Sequence, residues 1–123
     1  MLFLLVEDNE PAAAAVAWAL TDSGHEVQIV CTGREVLGMI NHHHPDVVIL
    51  DITLPDVSGV VVAKWIRKDH PALPIIIATG HGAFDGMDEM VGQRRTAVVQ
   101  KPYSIEVLFG LVGELMKDSF TRP

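Results

Sequence analysis

The chain has 123 residues, the size of one ordinary domain, which excludes a two-domain enzyme. Hydrophobic residues make up 49% and charged residues 20%, too apolar for a disordered chain and enough for a substantial core. Nine Lys plus Arg against sixteen Asp plus Glu leave a net charge of -7, which repels a phosphate backbone and argues against direct nucleic-acid binding.

The first apolar run, Leu2 to Val6, reads as a strand and meets Glu7-Asp8 at once, so it is neither a membrane span nor a targeting segment. The whole chain, residues 1–123, is therefore expected to be one module with nothing before it. A helix follows. Its i, i+3, i+4, i+7 spacing places Ala12, Ala15, Val16, Ala19 and Leu20 inward and Ala13, Ala14, Ala17 and Trp18 outward, with no charge from Pro11 to Thr21. The second strand is predicted over Glu26 to Cys31. Cys31 is the only cysteine, cannot form an internal disulfide and is expected as a buried thiol, which fits a reducing, cytoplasmic compartment.

Thr32 with Glu35 three residues on reads as a capping box for the second helix. The run His42-His43-His44-Pro45 is expected in a loop, and it lacks the i, i+4 arrangement of a helical metal site. A third strand is predicted over Val47 to Asp51, and Ser58 opens the next helix. The fourth strand is predicted over Pro74 to Ala78. The segment Gly80-His81-Gly82-Ala83-Phe84-Asp85-Gly86 makes the following helix short or mobile, since each interior glycine costs about 1 kcal/mol relative to alanine. The fifth strand is predicted over Ala97 to Gln100, and Ser104 starts a last helix whose outer face, with Ile105 and Phe109, is a candidate for output or dimer contacts.

Five strands alternating with helices specify an α/β, doubly wound, five-stranded parallel sheet. The continuous runs Val47-Val48-Ile49-Leu50 and Ile75-Ile76-Ile77 are those of strands covered on both faces. In such sheets the functional crevice lies outside the carboxyl ends of the strands. Glu7, Asp8, Asp51, Thr79 and Lys101 all fall there. Carboxylates gathered at one edge repel, by about 4 kcal/mol for a pair at ~4 Å and an effective dielectric near 20, so a cation belongs among them. Mg²⁺ suits oxygen ligands and leaves room for a phosphoryl oxygen, while Lys101 is a second, fixed positive charge. An ionised aspartate is a competent nucleophile toward phosphorus, with the metal, Lys101 and the Thr79 hydroxyl neutralising the phosphoryl oxygens.

The ordered set Val6-Glu7-Asp8-Asn9, Ile49-Leu50-Asp51, Leu54-Pro55-Asp56-Val57-Ser58-Gly59 and Lys101-Pro102 resembles the response-regulator receiver domain, along the whole chain. The resemblance implies a CheY-like, flavodoxin-type (βα)5 fold in a two-component or phosphorelay system. It implies that Asp51 accepts a phosphoryl group from a phosphohistidine, catalysing its own phosphorylation and dephosphorylation without turning over an external substrate. It also implies that Glu7, Asp8, Asp51 and the Thr53 carbonyl organise Mg²⁺, that Thr79 and Lys101 hold the phosphoryl group, and that the Lys101-Pro102 bond is cis. The implied partner is a histidine kinase or histidine phosphotransfer protein, docking beside the first helix near Trp18, with a homodimer or a downstream protein as further partners.

One departure stands out. Receivers commonly carry an aromatic residue where this chain has Val98, so the usual aromatic switch is missing, and Tyr103 is expected to pack rather than replace it. Thr53 and His81 occupy the positions that tune phosphate lifetime in receivers. The stretch Pro74 to Gly80 resembles a receiver subgroup with an Ala-Thr-Gly signature. The chain is expected either as a free-standing receiver or as the receiver of a hybrid kinase. Alternatives are a pseudo-receiver that is never phosphorylated, an aspartate-nucleophile phosphatase lacking its capping element, and a nucleotide-binding module, whose G-x-G-x-x-G spacing Gly80, Gly82 and Gly86 miss by one.

Overall fold

A computed structural model describes residues 1–80, 82 and 84–118. The elements run β1 (Leu2–Val6), α1 (Glu10–Asp22), β2 (Glu26–Val30), α2 (Val36–His43), β3 (Val47–Asp51), α3 (Gly59–Asp69), β4 (Ile75–Thr79), α4 (Met87–Val91), β5 (Thr96–Gln100) and α5 (Ile105–Asp118). The strands form one parallel sheet in the order β2-β1-β3-β4-β5. This is the (βα)5 architecture expected from the alternation of elements.

The period-2 geometry of strands divides the core into two layers. Leu4, Val6, Val48, Leu50, Ile75 and Ile77 face a cluster completed by Val36 and Ile40 of α2, Val62 and Ile66 of α3, and Met90 of α4. Phe3, Leu5, Val47, Ile49, Ile76 and Ala78 face the opposite cluster, with Ala13 and Leu20 of α1 and Leu108, Val112 and Leu115 of α5. Every residue of β3 and β4 is buried, as the unbroken apolar runs require, whereas edge strand β2 is mostly exposed or half-buried.

Several expectations are corrected. Cys31 is exposed: it lies one residue past the end of β2, so no second sheet face covers it. The inward stripe of α1 contains Ala13 and Leu20, with Val16 half-buried against the same layer, while Ala15 is exposed. An alanine-rich helix has little polar contrast to set its phase. Trp18 faces outward as expected, 70% exposed. Ile105 and Phe109 pack against the α1–α5 layer, where Phe109 lies 6.5 Å from Phe3 and 5.2 Å from His25 between ring centroids; the exposed apolar residue of α5 is Val107. His42 and His43 close the last turn of α2 rather than lying in a loop, and His44 caps it with a left-handed φ of 52°.

Strand ends shift by one residue at β2, β4 and β5 relative to expectation. Pro74 has no amide to join the ladder, so β4 begins at Ile75, although the Pro74 carbonyl still accepts from the Val48 amide. Helix α4 has five residues, consistent with its glycine-rich approach, and Gly86 precedes it at φ 89°. No helix among the described residues is long and apolar enough to cross a membrane.

Candidate functional site

Strand register assembles the site. Val6 of β1 pairs with Leu50 of β3, so the residues that follow them, Glu7 and Asp51, emerge side by side. Asp51 pairs with Ala78 of β4, and Thr79 pairs with Gln100 of β5, which brings Lys101 to the same edge. The Lys101 amide donates to the Thr79 carbonyl at 2.8 Å, and the Lys101-Pro102 peptide is cis, as the resemblance implied.

The Lys101 ammonium donates to Glu7 Oε1 at 2.7 Å and to Asp51 Oδ2 at 3.1 Å. The other Asp51 oxygen, Oδ1, accepts from the Thr53 amide at 3.0 Å. Glu7 Oε2 accepts from the Asn9 amide at 3.3 Å, and Asn9 caps α1 through its side chain, which accepts from Ala12. Glu7 and Asp51 are each only 6% exposed and Thr79 is 1% exposed, whereas Asp8 faces solvent. All five residues expected at the strand ends thus share one edge, with Thr53 joined to them through its backbone.

One oxygen each from Glu7, Asp8 and Asp51 lies within 4.8 Å of the others. Three carboxylates face a single ammonium, and the donors are hard oxygens with one residue open to water. That set fits a small divalent cation of the Mg²⁺ kind, which binds few carboxylates and keeps several waters. The electrostatics agree. Burial, reinforced by the neighbouring Asp51 carboxylate, raises the Glu7 carboxyl above its ordinary 4.5 despite the opposing Lys101. Burial pulls Lys101 downward, but the hydrogen bonds and charges of Glu7 and Asp51 more than offset it, and the ammonium ends above 10.5. Burial also pushes the Tyr103 hydroxyl up to about 12, in keeping with its packing role against the α1–α5 layer.

Beside the carboxylates lies a cavity of ≈ 440 Å³ lined by Glu7, Ala12, Ala15, Val16, Lys101, Pro102 and Tyr103. It joins the ionic site to the uncharged face of α1. Val98 is half-buried against the α2–α3–α4 layer, and His81 lies outside the described residues.

The sequence reading assigned no role to Asp56. Its carboxylate accepts from the amides of Gly33 at 2.8 Å and Arg34 at 3.0 Å, across the sheet edge from its own loop. The expected capping box does not form. Thr32 instead donates to the Glu35 carboxylate at 2.6 Å, and no side chain at the Glu35 N-cap serves the start of α2. A glycine in the short turn between β2 and α2, Gly33, was the available signal that another segment approaches closely there.

The model of the response regulator receiver domain family matches residues 3–112, and the chain belongs to that family, the receiver module of two-component signalling. The polar-differentiation response regulator DivK of Brucella ovis is 35% identical over 105 residues, covering 83% of this chain and 85% of DivK. The luminescence regulatory protein LuxO of Vibrio campbellii is 42% identical over 81 residues, covering 66% of this chain but only 18% of LuxO. In fold, the chain superposes on a CheY-like response regulator receiver domain protein from Methanospirillum hungatei with a TM-score of 0.86, covering 98% of each chain at 23% identity.

Proposed function

We propose that Asp51 is the phosphoacceptor of this receiver and that the whole chain, 1–123, acts as one phosphorylation-switched module. The observation that carries this reading is the Asp51 carboxylate itself: buried, ending a central strand, and oriented from two sides by Lys101 and the Thr53 amide. One Asp51 oxygen attacks the phosphorus of a phosphohistidine; the O–P bond forms as the N–P bond breaks, and the bonding pair leaves with the imidazole, which takes up a proton. Lys101 neutralises charge on the phosphoryl oxygens, and the hydroxyl of Thr79, at the end of β4, donates to one of them. Glu7, Asp8, Asp51 and the Thr53 carbonyl would hold Mg²⁺, which supplies Lewis-acid charge to the transferring group when bound. The phosphorylated form then shifts a pre-existing conformational equilibrium, without a large aromatic side chain at Val98.

Intact mass after incubation with a small acyl phosphate, with and without Mg²⁺, tests the reading. A Mg²⁺-dependent gain of one phosphoryl group, mapped to the peptide containing Asp51, is expected. No gain either from the small donor or from a phosphohistidine protein would leave a pseudo-receiver.

The donor is proposed to be a histidine-bearing helical protein that seats on α1. Trp18 stands exposed on a helix without a charge from Pro11 to Thr21, and the ≈ 440 Å³ cavity connects that helix to the carboxylates. Trp18→Ala is expected to slow transfer from the phosphohistidine partner about tenfold or more while leaving uptake from the small acyl phosphate unchanged. Equal rates with the protein donor would remove Trp18 from the interface.

A further inference from the structure

The loop from Ile52 to Ser58 carries Thr53, whose amide holds the Asp51 carboxylate, and it is tied down at four places. The Ile52 amide donates to the Ala78 carbonyl, and the Gly59 amide donates back to the Ile52 carbonyl, both at 2.9 Å. Gly59 is pressed so closely on β3 that a Cβ there would lie 2.5 Å from the Asp51 carbonyl oxygen. The Ser58 side chain caps α3 by accepting from Val60. The fourth tie is Asp56, which reaches outside its own loop to the turn between β2 and α2.

That turn sits directly against the loop. A Cβ on Gly33 would lie 2.7 Å from Val62, 3.2 Å from Val57 and 3.4 Å from Leu54, so the absence of a side chain is what allows the approach. Gly33 and Arg34 lie in the turn just before the Glu35 N-cap of α2, and their amides, which no ladder or helix uses, are taken one by each Asp56 oxygen. The guanidinium of Arg34 adds only a long 3.7 Å contact from a highly exposed side chain.

We propose that Asp56 is a positioning residue for phosphoryl transfer: by clamping its loop to the β2–α2 turn, it fixes the Thr53 amide that orients the Asp51 carboxylate. The same clamp links the acceptor loop to α2, so a movement of either is felt by the other. The Gly33 amide, with that of Arg34, holds the Asp56 carboxyl below its ordinary 3.8, so the ionised clamp persists further into acid than a free carboxylate would. This inference rests on the reading of Asp51 as acceptor.

The test uses the full chain and three measurements: phosphoryl uptake from a small acyl phosphate, the Thr53 amide chemical shift by NMR, and the urea unfolding midpoint. Asp56→Asn, which puts an NH2 donor in place of one of the two accepting oxygens, is expected to slow uptake about tenfold and to move the Thr53 amide resonance. Asp56→Ser keeps one acceptor and carries the same prediction should the Asn variant not fold. Arg34→Ala retains both amides and is expected to change neither. Val112→Ala opens space in the opposite layer and is expected to lower the midpoint without moving Thr53. Unchanged uptake and an unchanged Thr53 resonance in the Asp56 variants would overturn the proposal, as would equal changes in Val112→Ala. A wild-type chain that takes up no phosphoryl group overturns the acceptor reading instead, and the Thr53 resonance still reports on the clamp.

Discussion

Asp51→Asn should take up no phosphoryl group from any donor during the time in which the unchanged chain reacts to completion, as read by intact mass. The amide that replaces the carboxylate is no nucleophile toward phosphorus, so the loss is complete rather than graded. Its geometry fails as well. Both neighbours of the native carboxylate are donors, the Lys101 ammonium at Oδ2 and the Thr53 amide at Oδ1. Whichever way the new amide turns, its NH2 meets one of them, so the group cannot sit as the carboxylate does. The substitution also removes one of the three carboxylates within 4.8 Å, so Mg²⁺ affinity measured by calorimetry should fall in the same variant. Phosphoryl uptake by Asp51→Asn at the native rate would place the acceptor elsewhere.

Lys101→Ala keeps the nucleophile and should still be phosphorylated, but about 100- to 1,000-fold more slowly, the usual effect of removing one preorganised positive donor from a developing charge. Its stability should respond to pH in a defined direction. Lys101 is raised by its carboxylate partners, so its stabilising contribution is complete below 10.5 and is lost only as pH rises through the raised value. Glu7 is also raised, by burial first, and for a carboxyl this means that the folded chain holds its proton longer than the unfolded chain. Between 4.5 and that raised value, each step up in pH therefore removes stability. Without Lys101, the ionised Glu7 loses its cation and faces Asp51 alone. Urea unfolding in metal-free buffer should show Lys101→Ala most destabilised near neutral pH, with the difference narrowing as acid protonates Glu7. A difference independent of pH would mean that Lys101 acts through packing instead.

Much of this arrangement was legible because the sheet imposes a strict pattern. β3 and β4 are buried on both faces, which forces unbroken apolar runs, and a polar residue ending such a run marks the edge where Asp51 and Thr79 lie. The phase of α1 was legible at Leu20, Val16 and Trp18, but among the alanines, which serve equally well inside and out, Ala13 and Ala15 exchanged their expected sides. The placement of Ile105 and Phe109 failed for a related reason: aromatic packing with Phe3 and His25 draws α5 around its axis, and that contact spans more than 80 residues of sequence. The clamp by Asp56 was hidden because the sequence offered a closer cap. Thr32 and Glu35 have the spacing of a capping box, but their side chains satisfy each other and leave the amides to a residue 22 and 23 positions away.

The outer face of α1, apolar in its middle and acidic at both ends, also bears on how a partner would be met. Trp18 shares its helix row with the exposed carboxylates of Glu10 and Asp22, and the whole chain carries a net charge of -7, so a basic partner would be steered toward this face and its association would weaken with ionic strength. The thermodynamic mark of contact over Trp18 and its alanine neighbours would be a negative heat-capacity change from buried apolar surface. Discrimination between partners on such a face rests on the shape that a protruding indole and a row of methyl groups present.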